Sequence, residues 1–542
     1  MFLDFIFRKL QFISKQRAAT EFSKEISVEL PQSPEEISTT LEENLNAAKK
    51  QFGNSSDFKI HRFRFGPDDR FSGALLYIDG LTDNATLTDA VLRPLSNWVP
   101  DEKSPSAGKP LIETLARTAL YSGDVKTVMS FPELLSGCLS GDTAVLVDGC
   151  PAGLSVCAKG WEKRSVTEPQ SETVVRGPRE GFIENLRTNT ALIRRKIKSD
   201  RLRTESLKVG EKTRTDICLM YLEGVASEKV INTVKYRISR LNVDSVLETG
   251  YLEQYIEDAP FSPFSTIGYT EKPDVAAAHI LEGRVAVVVD GTPFVLTAPM
   301  LFIENFQTAE DYYTRPLYAS ITRILRFIAF IITVFSPGLY VALTAFHQQI
   351  IPTTLLFTIA AAREGTPFPV FLETFIMVFA FEILYEGGIR MPRPVGQAIS
   401  IVGALIMGNA AVSAGLVGAP VVITIAITAV SGFLVPTLNN SASLLRIMML
   451  TLGALLGWYG LSMGFLWMLF HLGSLNSFGV PYFDGFALTT NLQDSFVRMP
   501  LWFMARRPMD IAHGDTTRRK FFIPPLRPYS DPDKDDAEDT DQ

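Results

Sequence analysis

Charge is missing from much of the second half of this 542-residue chain. The stretches 327–362, 395–445 and 447–483 contain no Asp, Glu, Lys or Arg. An uncharged run of about 18 or more residues reads as a transmembrane candidate, and three in succession exclude an ordinary soluble core. Cysteine and histidine are scarce as well. The four cysteines, Cys138, Cys150, Cys157 and Cys218, form no CxxC pair, and there are five histidines. That excludes a disulfide framework and a zinc-ligand spacing, leaves reduced cytosolic thiols as the expectation, and points to no metal or cofactor. A cleavable signal peptide is also absent. Residues 1–13 place Phe2, Leu3, Phe5, Ile6, Leu10, Phe12 and Ile13 beside Arg8 and Lys9, with no small-residue cleavage site. They read as an amphipathic segment lying on a membrane or a partner, or as a segment packed on its own domain.

What is present divides in two. Hydrophobic residues make up 46% and charged residues 20%, which rules out a disordered or collagen-like chain. The net charge of −7 is mostly the end of the chain: 531–542 holds six Asp, one Glu and one Lys, leaving −1 for everything before it. That tail reads as a solvated, disordered end or as an acidic interaction tail. The expected fold is an α/β soluble N-terminal region with two related subdomains, followed by an α-helical multi-span transmembrane domain. The expected divisions are a divergent segment 1–69, a first subdomain 70–181, a basic linker helix 182–211 and a second subdomain 212–310. A transmembrane domain 320–483, a basic juxtamembrane segment 484–530 and the acidic tail 531–542 complete the chain.

The two subdomains are inferred from recurring strings. Tyr77-Ile78-Asp79-Gly80 and Tyr221-Leu222-Glu223-Gly224 lie 144 residues apart, and Val145-Leu146-Val147-Asp148-Gly149 and Val287-Val288-Val289-Asp290-Gly291 lie 142 apart. Each is an apolar strand entering a turn, and Asp-Gly supplies the positive φ that a tight hairpin needs. Asp79, Glu223, Asp148 and Asp290 therefore read as turn residues rather than catalytic carboxylates. Between the units, 182–208 carries Arg187, Arg194, Arg195, Lys196, Lys198, Arg201, Arg203 and Lys208. Without interleaved aromatics or a recognised binding fold, nucleic acid is not the expected partner. Anionic lipid, an acidic partner, or internal ion pairs on a linker helix remain open.

In the apolar half, spans are expected over 327–346, 368–384, 396–413, 419–436 and 447–470, with 352–362 too short to cross. Arg323 and Arg326 before the first span place the N-terminal half in the cytoplasm. Five crossings, however, put the C-terminal segment outside, although it carries Arg498, Arg506, Arg507, Arg518, Arg519 and Lys520. The positive-inside preference instead asks for an even count. Gly453, Gly457, Gly460 and Gly464 form a small-residue face for helix packing, within or between subunits. Gly460-Leu461-Ser462-Met463-Gly464 matches a GxSxG nucleophile elbow, but that motif needs a preceding strand and here lies in an apolar helix. An intramembrane serine hydrolase using Ser462 with His471 or His347 is therefore a distant alternative, and no enzyme is expected. The informative polar residues are Glu373, Glu382 and Glu386, because a carboxylate at bilayer depth faces a bundle interior, a partner or a watery path. Glu386 can pair with Arg390 four residues on. Glu373 and Glu382 are candidates for an ion path or for buried hydrogen bonding.

Several longer strings resemble one family. Among them are Glu248-Thr249-Gly250-Tyr251-Leu252-Glu253-Gln254-Tyr255-Ile256-Glu257-Asp258, Pro260-Phe261-Ser262-Pro263-Phe264 and Leu281-Glu282-Gly283-Arg284-Val285-Ala286. Others are Ala361-Ala362-Arg363-Glu364-Gly365, Gly388-Ile389-Arg390-Met391-Pro392-Arg393-Pro394 and Ser477-Phe478-Gly479-Val480-Pro481-Tyr482. They resemble the A subunit of the GerA-type spore germination receptors over about 70–510. The resemblance implies a multi-pass subunit of a nutrient-germinant receptor in the spore inner membrane. It implies a transporter-like B subunit and a lipoprotein C subunit as partners, homo-oligomerisation within membrane lipid, and a path for monovalent cations released at the start of germination. A stage V sporulation sister group within the family, or a non-conducting scaffold for the ligand-binding partner, are the alternatives.

Overall fold

The computed structural model describes residues 34–99, 107–120, 124–160, 172–390, 406–483 and 494–504, with isolated positions at 169 and between 507 and 518. The N-terminal stretch 1–13, most of 484–530 and the acidic tail fall outside the described residues.

The soluble half contains two five-stranded sheets. In the first, strands β1 (Phe58–Phe65), β2 (Phe71–Ile78), β3 (Val125–Val128), β4 (Thr143–Val147) and β5 (Gly153–Val156) lie in the order β1-β2-β4-β5-β3. In the second, β6 (Leu202–Val209), β7 (Thr215–Leu222), β8 (Gly268–Thr270), β9 (Val285–Val289) and β10 (Val295–Ala298) lie in the order β6-β7-β9-β10-β8. Every pairing is antiparallel.

The helices repeat as well. Helices α1 (Leu41–Phe52), α2 (Lys109–Thr118) and α3 (Phe131–Leu139) of the first unit occupy the chain positions of α4 (Leu186–Lys196), α6 (Thr249–Ile256) and α7 (Pro273–Leu281) in the second. Short helical turns over 84–96 stand where α5 (Glu228–Ser239) stands. Both faces of each sheet are covered, so strands such as β4 and β9 are apolar at every position and buried throughout. On the second sheet, Ile217, Leu219, Val285 and Val287 pack under α5 and α6. Their alternating neighbours Cys218, Met220, Ala286 and Val288 pack under α4 and α7.

The structure moves the expected divisions. The first strand of each sheet and the helix before it lie ahead of the boundaries at 70 and 212. The stretch read as a linker supplies α4 and β6 to the second unit. The basic residues hid this, because they are paired internally. Arg194 is 1% exposed and meets Asp57 through Nε–Oδ2 at 2.8 Å and Nη2–Oδ1 at 3.0 Å. Arg187 faces Asp79, Arg195 and Lys196 face Glu180, Arg203 faces Glu223, and Lys208 faces Asp216. The bond to Asp57 crosses between units, as do Ser56 N to Thr204 O and Gln51 Nε2 to Asp200. The Asp-Gly turns join the paired strands β4–β5 and β9–β10, with Gly149 at φ 78° and Gly291 at φ 89°. Their aspartates do more than turn the chain: Asp148 accepts from Leu41 N at 2.9 Å and Asp290 from Leu186 N at 3.1 Å, each at the first residue of its unit's leading helix.

The apolar half comprises α8 (Pro316–Ala345), α9 (Thr353–Arg363), α10 (Val370–Arg390), α11 (Ala419–Gly432) and α12 (Asn439–Ser474). Two stretches, Pro316–Ala345 and Pro436–Ser474, are long and apolar enough to cross a membrane by length and composition. Helix α8 continues through Pro337.

The last helix is not one rod. At Gly457 the backbone leaves the helical region (φ 60°, ψ −138°) and the chain folds back on itself. A Cβ on Gly464 would lie 2.6 Å from the sulfur of Met449, whereas fifteen residues of straight helix span about 22 Å. The expected crossing 447–470 is therefore two arms, 439–456 and 458–474, and both arms pack against α8. Gly338 of α8 abuts Met449 and Gly453 in the first arm, and Phe335 meets Phe465 in the second. The expected small-residue face is spent within the chain. A Cβ on Gly453 would lie 2.6 Å from the Gly338 carbonyl, and one on Gly460 would fall on the Leu452 carbonyl oxygen.

Candidate functional site

The three carboxylates of α10 sit among these apolar helices, and each faces an arginine. Glu373 is fully buried; it accepts from the backbone N–H of Gly418, at the start of α11, and stands 3.6 Å from Arg363 at the end of α9. A carboxylate at a helix N-terminus is stabilised by the unpaired N–H groups there. Gly418 permits the approach, since a Cβ would crowd Glu373, Arg363 and the Ala362 carbonyl at 3.3 Å each. Glu382 meets Arg446 of the first α12 arm at 2.8 Å. Arg446 is 2% exposed and donates through Nη2 to Ser443 Oγ at 2.9 Å. Beside the pair lies a cavity lined by Thr333, Tyr385, Thr428 and Asn439. Glu386 pairs with Arg390 at 2.6 Å on the exposed side of the helix.

Sequence spacing finds Arg390 through the i,i+4 rule and misses the other two partners. A signal for Arg446 was available: it is the single charged residue between 395 and 483, so a charge at that place needed a partner.

Both ends of the α12 hairpin attach to one loop of the soluble half. Ser441 Oγ donates to the Pro263 carbonyl, and His471 Nε2 shares a 2.8 Å hydrogen bond with Ser262 Oγ. The C-terminal segment returns to the same half. Asp515 N donates to Gly224 O at 2.8 Å, Arg507 Nε donates to Leu281 O at 2.8 Å, Arg518 pairs with Glu282, and Ala512 bridges Ala226. Arg323 and Arg326, expected as flags of the first span, turn inward instead. Arg323 is 1% exposed and bonds Asp311 at 3.0 Å and Asp494 at 2.9 Å, while Arg326 bonds Asp311 at 2.8 Å. Burial pushes the Asp494 carboxyl above the usual carboxylate range despite the facing arginine. Burial raises Glu304 in the same way, beside Arg284.

The arrangement does not assemble a serine nucleophile. Ser462 Oγ donates to the Trp458 carbonyl at 2.9 Å within its own helical arm, and His471 is engaged by Ser262. Among the described residues, no group of three or more His, Cys, Asp or Glu could hold a metal ion.

Comparison with known proteins gives these features a family. The family model for the Bacillus/Clostridium GerA spore germination protein matches residues 46–510. Spore germination protein KA of Bacillus subtilis (strain 168) is 44% identical over 487 residues, covering 89% of each chain. A protein of the same organism named as the uncharacterized membrane protein YfkQ is 39% identical, covering 88% of this chain and 93% of its own. Among solved structures, the N-terminal domain of the A subunit of the Bacillus megaterium spore germinant receptor GerK3 matches at 37% identity with a TM-score of 0.39, covering 50% of this chain and 99% of that one. The chain belongs to the GerA family of spore germination proteins.

Proposed function

We propose that this chain is a membrane-embedded receptor subunit that couples nutrient sensing to the release of monovalent cations at the start of germination, as an oligomer in the spore inner membrane. The observation that carries the reading is Glu382: a carboxylate on an apolar helix, held against Arg446, with the helices around it tied to a two-sheet soluble half. Repeated around a symmetric assembly, such a residue becomes a ring that attracts cations and repels anions. A transporter-like B subunit and a lipoprotein C subunit are the partners that the family membership suggests.

The same reading gives a topology. The chain leaves the soluble side along α8 and returns along α10, α11 comes back from the far side, and the two α12 arms pass out and back. The expected span 396–413, most of which lies outside the described residues, is taken as the outward pass between α10 and α11. Six passes leave the C-terminal segment on the side of the N-terminal half. The clash between five crossings and a basic C-terminal segment then disappears, with both soluble parts cytoplasmic.

A scaffold without an ion path is the second reading, because Glu373, Glu382 and Glu386 each face an arginine, and a neutralised carboxylate makes no ring. Potassium flux separates the two. Full-length chain reconstituted in liposomes conducts potassium under the first reading, and Glu382→Gln lowers that flux at equal incorporated protein. Absence of flux both from correctly incorporated wild-type chain and from its Arg446→Gln variant refutes conduction and leaves the scaffold.

A further inference from the structure

The Glu382–Arg446 contact is poorly made for a purely structural pair. The charges meet at 2.8 Å, yet Glu382 Oε1 and Arg446 Nε are buried and take part in no well-aligned hydrogen bond. A buried ion pair is a secure stabiliser only when its remaining protons and lone pairs are satisfied; otherwise the loss of hydration cancels most of the attraction. This pair lies near that balance. Other acceptors stand beside the arginine: Thr333, Tyr385, Thr428 and Asn439 line a water-sized cavity next to Arg446, and the Thr333 and Thr428 hydroxyls, which donate to the Ala329 and Thr424 carbonyls, keep lone pairs that can accept from the guanidinium after separation.

The two partners also sit on elements with different anchorage. Glu382 is carried by α10. Arg446 is carried by the first arm of α12, which is tied to the soluble half through Ser441 and the Pro263 carbonyl and turns at Gly457. Displacement of the loop at 262–264 thus acts on Arg446 and leaves Glu382 where α9 and α11 hold its helix through Glu373.

We propose that Glu382 and Arg446 form a latch between α10 and α12. Closed, the arginine neutralises the carboxylate; opened by movement of the first α12 arm, it leaves an ionised carboxylate facing water. This rests on the conducting reading above and assigns Arg446 as the residue that keeps the path silent. Glu382 then supplies the charge and Arg446 masks it, so their substitutions act in opposite directions.

The test uses full-length chain in potassium-loaded liposomes, with efflux normalised to incorporated protein. Arg446→Gln is expected to raise efflux by about tenfold or more over wild type, the scale of a typical coupling between two states, with cations still preferred over anions. Glu382→Gln in the Arg446→Gln background removes that preference. The exchanged pair Glu382→Arg with Arg446→Glu restores the wild-type level. Arg446→Gln efflux equal to a measurable wild-type efflux overturns the latch and leaves conduction standing. Efflux from neither wild type nor any variant overturns the conducting reading itself. Single variants that only lower the amount of incorporated chain, with the exchange restoring the amount and nothing else, mark the pair as structural and also overturn the latch.

Discussion

Replacing Arg194 by alanine removes the guanidinium that bonds Asp57 across the two units. Both side chains are about as hidden as any in the fold, at 1% and 2% exposure, and the guanidinium grips the carboxylate twice, with Thr204 Oγ1 closing the group. Removing one partner strands a buried charge, which costs about 3–5 kcal/mol. For a domain whose total stability is about 5–15 kcal/mol, that is a fifth of it or more. At a few degrees per kcal/mol in a region this size, the melting temperature falls by roughly 10 °C. Thermal unfolding of full-length chain in detergent, followed by near-ultraviolet circular dichroism, reads the change. The companion variant Asp57→Leu with Arg194→Met replaces both charges and recovers most of the loss, since a buried pair exchanged for well-packed hydrophobic groups of similar volume is close to neutral. A drop below about 1 kcal/mol in the single variant, the scale of a surface pair, refutes the claim that this bond clamps the units together.

Gly457→Ala forces a Cβ to within 3.0 Å of Phe346 and His347 at a positive φ, so the hairpin opens and the amount of membrane-incorporated chain falls several-fold on immunoblots; an unchanged amount denies the reversal its importance. Burial raises the Glu172 carboxyl to about 7, above its unfolded value. Its contribution to stability is therefore fully present below about pH 4.5 and lost as pH rises through 7. Glu172→Gln accordingly stabilises the chain at pH 8 by at most about 3 kcal/mol and leaves it unchanged near pH 4, as judged by melting at both values. Cysteines introduced at Trp458 and at Leu501 are labelled by an impermeant thiol reagent from opposite faces of the membrane; labelling of both from one face breaks the six-pass arrangement.

Local pattern made the two sheets legible, whereas their starting points were hidden. The strings ending in Asp148-Gly149 and Asp290-Gly291 sit in matched strand connections because an apolar strand and its turn are written in adjacent residues. Strand β1, with His61, Arg62 and Arg64 exposed on a sheet edge, has no apolar run to announce it. Helix α4 looked like a charged linker because the acids that neutralise it come from elsewhere, Asp57 and Asp79 among them. The same limit applied to the candidate site. Glu386 and Arg390 are four residues apart and could be matched on paper, but Glu382 and Arg446 are brought together only by the packing of α10 on α12. Gly457 lay within a recognised glycine pattern, and nothing in that pattern distinguishes a helix that packs closely from one that reverses.

The bond between Arg323 and Asp494 sets an order of events during synthesis. Arg323 stands at the start of the first long apolar helix, and its second carboxylate arrives only after every other apolar helix has left the ribosome. Until then a guanidinium buried in the finished fold has half of its counter-charge. The strands meanwhile can pair and the helices can insert, but the junction between them stays open. Closure by a residue so late in the chain ties the junction to completion of all the apolar helices before it, and a chain cut short before Asp494 leaves Arg323 with Asp311 alone where the two halves meet.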